Sequence, residues 1–188
     1  MRKLIVFNHI SLDGYFTDAH GDMGFARNAT PDAEWDAFVE GNAGGGGTLV
    51  FGRVTYEMMA SYWPTPAAAE QMPLVAGRMN SAPKVVFSRG LQQASWNNTR
   101  LVKSDLPGEI RKMKNELGED MLIFGSGSIV SQLAQAGLID EYQFIVDPVV
   151  LGSGRTMFAG VQGRLPLKLK QVRSFGNGNV LLTYELLK

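Results

Sequence analysis

The stretch from Met121 to Val146, MLIFGSGSIVSQLAQAGLIDEYQFIV, constrains the fold more than any other part of this chain. It opens with an apolar run, Met121-Leu122-Ile123-Phe124, of the kind a strand buried on both faces requires. Four small residues follow, Gly125-Ser126-Gly127-Ser128. Ile129, Val130, Leu133, Ala134 and Leu138 then recur at helical spacing, and Gly137 stands where a helix would stop. Tyr142 to Val146 reads as the next strand. Strand, glycine turn, helix and strand form one right-handed crossover. Its turn leaves N–H groups at a helix N-terminus uncovered by side chains, a ready site for phosphate. The turn alone does not separate a phosphate cradle from a plain tight connection, because Val130 occupies the place of the third glycine in the dinucleotide fingerprint.

The other elements repeat the alternation. Lys3 to Ile10 reads as a first buried strand, ending in the turn Ser11-Leu12-Asp13-Gly14. Tyr15 to Thr30 has no periodicity and reads as a long loop, either disordered or functional as an active-site flap. Thr30 and Pro31 look like the cap and first turn of a helix carrying Trp35, Phe38 and Val39. GNAGGGG, Gly41 to Gly47, reads as a helix stop or a flexible connection. Thr48 to Phe51 is a second strand, and Gly52-Arg53-Val54-Thr55 opens a helix that stops before Pro64. Pro66 to Ser81 reads as helical, Lys84 to Phe87 and Thr99 to Val102 as strands, and Leu106 to Leu117 as an amphipathic helix. After the central unit comes a further glycine loop, Asp147 to Arg155. Two final strands, Leu165 to Ser174 and Val180 to Leu187, are joined at Phe175-Gly176-Asn177-Gly178-Asn179, where Asn-Gly is a strong hairpin signal. The expectation is one α/β domain over residues 1–188: a mostly parallel sheet with helices on both faces and a C-terminal antiparallel hairpin.

Composition narrows the function. With 18 basic and 18 acidic side chains the formal net charge is zero, so no broad basic face points to nucleic acid or an anionic membrane. No apolar stretch approaches the roughly 20 residues of a membrane span. The absence of cysteine excludes disulfides, thiolate metal sites and a cysteine nucleophile. A cytoplasmic protein with a small-molecule ligand and no metal is the expectation.

In a parallel sheet, ligands bind beyond the carboxyl ends of the strands. Ser11-Asp13-Gly14, Gly52-Arg53-Thr55, Ser88-Arg89 and Gly125-Ser126-Gly127-Ser128 all follow strands in this reading. Together they offer hydroxyls, guanidinium groups and helix N-termini, which suit an extended polyanion such as an NADP-type dinucleotide, with Arg89 or Arg53 on its 2′-phosphate. Among the histidines, His9 alternates inside a strand and reads as buried and satisfied, while His20 falls in a loop with no visible partner.

Several of these pieces carry a resemblance: SLDG at Ser11 to Gly14, FGRVTYE at Phe51 to Glu57, VFSR at Val86 to Arg89, IFGSGSIVSQL at Ile123 to Leu133, LIDE at Leu138 to Glu141, and PVVLGSGRTMF at Pro148 to Phe158. In this order, and across almost the whole chain, they resemble the dihydrofolate-reductase-like family that includes the reductase domain of the bifunctional riboflavin-biosynthesis deaminase-reductase. The resemblance implies a homodimeric, NADPH-binding reductase of a pyrimidine- or pteridine-like heterocycle. Arg53 and Thr55 would contact the cofactor phosphates and Ser88 and Arg89 the 2′-phosphate end. Gly125, Ser126, Gly127 and Ser128 would hold the pyrophosphate and nicotinamide ribose, with Gly52 at the second junction. The specific activity implied is reduction of 5-amino-6-(5-phosphoribosylamino)uracil. The alternatives are a dihydrofolate reductase-type enzyme, or an NADP-binding protein of the same fold with little turnover. The zinc-binding histidine and cysteines of the deaminase part have no counterpart here.

For the proton that accompanies hydride transfer, the resemblance places an acid on the first helix, where Glu34 stands with Asp36 and Asp32 close by. Asp13, in the first turn, is the other candidate. Tyr15, Phe16, Phe25 and Trp63 are the aromatics expected near a flat substrate. A short doubly wound dehydrogenase is disfavoured by Val130, which stands where the third fingerprint glycine belongs.

Overall fold

Parallel strands with both faces apolar need helices on both sides, and the molecule is built that way. The structure, a computed structural model, describes residues 1–27, 30–44 and 47–187. Ten strands are present among the described residues: β1 (Leu4–Ser11), β2 (Tyr15–Thr17), β3 (Thr48–Gly52), β4 (Lys84–Phe87), β5 (Thr99–Val102), β6 (Met121–Phe124), β7 (Glu141–Asp147), β8 (Arg155–Thr156), β9 (Leu167–Ser174) and β10 (Val180–Leu186). The helices are α1 (Ala33–Gly44), α2 (Arg53–Tyr62), α3 (Pro66–Gln71), α4 (Pro73–Ser81), α5 (Leu106–Asn115) and α6 (Gly127–Gln135). The main sheet has the order β5-β4-β3-β6-β1-β7-β10-β9. From β5 through β7 every pairing is parallel, and the hairpin β9–β10 adds two antiparallel strands beside β7.

Because successive side chains of a strand point to opposite faces, each strand feeds two cores. On β6, Met121 and Ile123 join Ile110, Met113, Val130 and Leu133 of α5 and α6. Leu122 and Phe124 turn the other way, toward Trp35 and Phe38 of α1. Val75 and Met79 of α4 and Tyr56 of α2 cover Leu49, Phe51 and Val86 on that second face. Burying one such aliphatic or aromatic side chain contributes about 1.5–3 kcal/mol, so the two cores together hold the parallel strands in register.

Several elements depart from the sequence reading for local reasons. Pro66–Ser81 is two helices: Met72 takes φ −141° and ψ 67°, and Pro73, which has no N–H to donate, restarts the chain as α4. The amphipathic helix α5 ends at Asn115, because Glu116 is extended, and Leu117 is fully exposed. The loop after Gly14 contains β2, which pairs with β8 from the loop after β7, and a 3₁₀ turn at Gly24–Ala26. Of the glycine-rich connection, Gly45 and Gly46 lie outside the described residues, as do Asn28 and Ala29 of the preceding loop. The helix cap is Asp32 and not Thr30. Its Oδ1 accepts from the N–H groups of Glu34 (2.9 Å) and Trp35 (3.1 Å), and its Oδ2 from Asn177 N–H (2.9 Å) in the β9–β10 turn.

One carboxylate thus fixes both the start of α1 and the tip of the hairpin. Those N–H donors, Trp35 foremost, hold its carboxyl below the ordinary carboxylate value of 3.8. A depressed pKa stabilises the fold above that value, and the contribution fades as pH falls through the lowered one. Asp32→Ala is expected to lower Tm at neutral pH by about 2–4 °C. In thermal melts the gap between wild type and variant should close as pH falls through the lowered value, where the wild-type carboxylate is protonated too.

Candidate active site

Strands β4, β3, β6, β1 and β7 are consecutive neighbours and parallel, so their carboxyl ends lie in a row along one rim. Ser88 and Arg89 follow β4, Arg53 follows β3, and Gly125 to Ser128 follow β6. Asn8, His9 and Ser11 lie toward the end of β1, and Asp147 closes β7.

The two strand-to-helix junctions in the middle of this rim are locked together. Ser126 Oγ accepts from Gly52 N–H at 2.9 Å, and Thr55 Oγ1 accepts from Ser126 N–H at 3.0 Å. From the β1 side Asn8, almost fully buried, accepts from Gly125 N–H at 2.5 Å and donates Nδ2–H to Gly125 O at 3.2 Å. Ser126 pays for this arrangement with a left-handed backbone, φ 59° and ψ 50°. Gly125, at φ +55°, has no space for a Cβ, which would stand 2.9 Å from the Thr55 side chain. A Cβ on Gly127 would stand 2.8 Å from the ring of Phe16, so this aromatic lies directly over the turn. Gly127 and Ser128 are the first two residues of α6, and Arg53 and Val54 of α2. Their N–H groups have no intrahelical acceptor.

The residues singled out in the sequence occupy distinct situations. Gly52, Thr55, Gly125 and Ser126 are buried in the interlock, so the hydroxyls of Thr55 and Ser126 bind backbone of the neighbouring junction. Ser128 is exposed at the helix start. Arg53 is half exposed and pairs with Glu57 at 2.8 Å, one helical turn on. Ser88 Oγ accepts from Leu91 N–H at 3.0 Å, shaping a turn that presents Arg89. Arg89 is exposed and makes no hydrogen bond or ion pair among the described residues.

The two acids are engaged elsewhere. Asp13 accepts from Ser11 Oγ–H at 2.6 Å and from the N–H groups of Leu151 (3.1 Å) and Gly152 (2.7 Å), pinning the glycine loop after β7. The Ser11 hydroxyl, assisted by those two N–H groups, holds its carboxyl below the ordinary value. Glu34 lies on the outer side of α1 in a salt bridge of 2.8 Å with Arg173 of β9. Of the aromatics, Phe16 reaches the rim, Tyr15 packs on Gly154, and Trp63 is partly buried with its indole N–H on Met59 Sδ. His9 is only partly covered, and its Nδ1 stands 2.8 Å from Asp147 Oδ2. A cleft of about 310 Å³ opens between α1 and the α3–α4 junction, bordered by Trp35, Asp36, Glu40, Gln71, Met72 and Leu74.

Residues 2–181 match the RibD C-terminal domain family. The chain belongs to that family. Among solved structures, a riboflavin biosynthesis protein from Shewanella sp. PV-4, described as putative, superposes with a TM-score of 0.73 at 23% identity, covering 99% of both chains. The diaminohydroxyphosphoribosylaminopyrimidine deaminase/5-amino-6-(5-phosphoribosylamino)uracil reductase of Thermotoga maritima gives 0.68 at 15% identity, over 99% of this chain and 57% of that one. Dihydrofolate reductase from Enterococcus faecalis, complexed with NADP(H), gives 0.59 at 15% identity, over 99% and 97%. This RibD C-terminal domain therefore has the dihydrofolate-reductase-like fold.

Two features of the family member's rim were not singled out in the sequence. Asn8 carries no motif and no charge, and its contact to Gly125 spans 117 residues. The His9–Asp147 pair spans 138. Neither has a local signal; each exists only because the crossover puts β1 between β6 and β7. Asn8→Ala should leave both polar groups of Gly125 buried without a partner, at a cost of about 1–3 kcal/mol, read as a lower urea midpoint with unchanged m-value.

Proposed function

We propose that this chain is an NADPH-dependent reductase of a pyrimidine- or pteridine-like heterocycle. The observation that carries the reading is the row of adjacent strand ends: uncommitted Arg89, then the helix start at Arg53, then the interlocked glycine turn and helix start at Gly127. A dinucleotide needs its phosphates met by backbone N–H and its 2′-phosphate by a planar cation, in that spatial order.

The residues present fit such a cofactor. Gly125 and Gly127, lacking a Cβ, let the Thr55 side chain and the Phe16 ring close on the turn and leave the helix start without side chains of its own. Gly127 and Ser128 offer N–H groups to a pyrophosphate, Arg53 a second cation, and Ser88 and Arg89 the 2′-phosphate subsite. When bound, the cofactor supplies hydride to a C=N or C=O carbon. The chain's own work is to orient the two partners, exclude water with Phe16 and the loops around it, and supply one proton.

Support for the substrate class comes from family membership and from the Thermotoga maritima reductase of the same fold, which makes 5-amino-6-(5-phosphoribosylamino)uracil the specific candidate. Dihydrofolate is the second candidate, on the likeness to dihydrofolate reductase. A third reading, a nucleotide-binding protein with little turnover, is favoured by one observation: Glu34, the acid of the first helix, is tied to Arg173. A cytoplasmic homodimer completes the proposal, and light scattering of the purified chain at twice the monomer mass checks its second half.

Arg89→Ala is expected to weaken NADPH binding by about tenfold or more while leaving NADH affinity unchanged, since only the former carries the 2′-phosphate. Equal losses for both nucleotides, or none, would count against the subsite. Oxidation of NADPH in the presence of 5-amino-6-(5-phosphoribosylamino)uracil or dihydrofolate separates the enzyme from the binder.

A further inference from the structure

His9 and Asp147 form a pair that the nucleotide reading leaves unused. They stand on neighbouring strands β1 and β7, where Ser11 is opposite Asp147 and Ile145 opposite His9, so both side chains emerge on the face covered by α1. Asp147 is 1% exposed, and its Oδ1 is buried without a hydrogen-bond partner among the described residues. Its Oδ2 lies 2.8 Å from His9 Nδ1. A carboxylate can only accept, so Nδ1 carries the hydrogen, and Nε2 is uncommitted among the described residues. Trp35 meets the ring edge-on at 5.9 Å and 87°, and Phe7 does so at 6.1 Å and 84°. The imidazole is therefore oriented from three sides. Buried polar groups are normally satisfied, and here one carboxylate oxygen is not.

Position gives the pair its meaning. Phe7 is in register with Phe124, which places His9 just past the Gly125 turn, while Asn8 grips that turn from the opposite face. A nucleotide with its 2′-phosphate at Arg89, on the β4 side, and its pyrophosphate at Gly127, on β6, has its remaining end on the β1–β7 side. There the other charged groups near His9 are committed or turned away. From α1, Asp32 caps the helix, Glu34 pairs with Arg173, and Asp36 borders the cleft beyond Trp35. On β7, Glu141 pairs with Lys170, and in the turn after β1 Asp13 holds the loop at Leu151 and Gly152.

We propose that His9, held in place by Asp147, is the proton donor at the reactive end of this site. The inference rests on the nucleotide reading given above. Reduction of a C=N or C=O bond takes a hydride on carbon and a proton on the heteroatom. A bound nicotinamide would supply the first; the second leaves Nε2 of the doubly protonated His9 ring, which keeps its hydrogen on Nδ1 and takes a proton back from water. Asp147 is a positioning residue: its hydrogen bond to Nδ1 fixes which nitrogen faces outward.

His9 and His20 are the two histidines of the chain, so ring signals in ¹H–¹⁵N NMR can be assigned with His20→Ala as reference. The neutral His9 ring should carry its hydrogen on Nδ1. Added NADPH should shift the His9 signals, and 2′,5′-ADP, which lacks the nicotinamide, should bind and leave them in place. NADPH that binds without moving His9, or a neutral ring protonated on Nε2, overturns the inference while sparing the nucleotide site. Failure of NADPH to bind at all removes the nucleotide reading and this role with it. In turnover of 5-amino-6-(5-phosphoribosylamino)uracil or dihydrofolate, His9→Gln should lose about a hundredfold or more in kcat and keep its NADPH affinity. Asp147→Asn should lower kcat and leave the KM for NADPH unchanged. A wild-type rate in His9→Gln overturns the assignment.

Discussion

The hydrogen bonds that tie the Gly125–Ser126 turn to Gly52, Thr55 and Asn8 are the constraint on which the rest of the rim depends. Three strands from distant parts of the chain end together there, and each junction satisfies the backbone of another. A turn of glycine and serine left to itself would sample many conformations, since glycine resists ordering. Here the αL backbone of Ser126 persists because Thr55 and the Ser126 hydroxyl's own grip on Gly52 over-determine it. The consequence is that α2 and α6 begin side by side, with their free N–H groups turned to the same edge.

That arrangement also explains how hydroxyls and carboxylates are divided between scaffold and chemistry. Thr55, Ser126 and Asn8 are buried and spend their polar atoms on backbone, where an unmet partner would be costly. Asp13 and Asp32 do the same for two loops, one by holding Leu151 and Gly152, the other by joining α1 to the hairpin turn. Among the described residues, what is left with open valence at the rim is a short set: Arg89, the first N–H groups of two helices, and the imidazole of His9. A carboxylate with one oxygen buried and unmatched, Asp147, stands behind that imidazole.

Much of the framework was legible in residue order because it is written in local signals. Alternation of apolar runs with helical spacing marked the strands and helices, and Asn-Gly marked the hairpin. The errors came where one residue outweighed a pattern. Pro73 split a helical stretch, Glu116 left the helix before Leu117, and Asp32 took a cap that Thr30 also had the chemistry to fill. The strands β2 and β8 were invisible because a two- or three-residue pairing between loops far apart in sequence has no periodicity to read.

The amino-acid sequence by itself determined which segments are strands and helices, that they alternate, and that glycine turns, hydroxyls and arginines follow the strands. Those properties reside in a few consecutive residues, and local sterics and hydrophobic spacing are enough to set them. The tertiary structure decided the strand order, and with it which turns are neighbours, which hydroxyls are consumed in locking them, and which histidine meets which aspartate. Such pairings depend on long-range packing of two hydrophobic cores against one sheet, and no stretch of chain shorter than the whole domain contains that information.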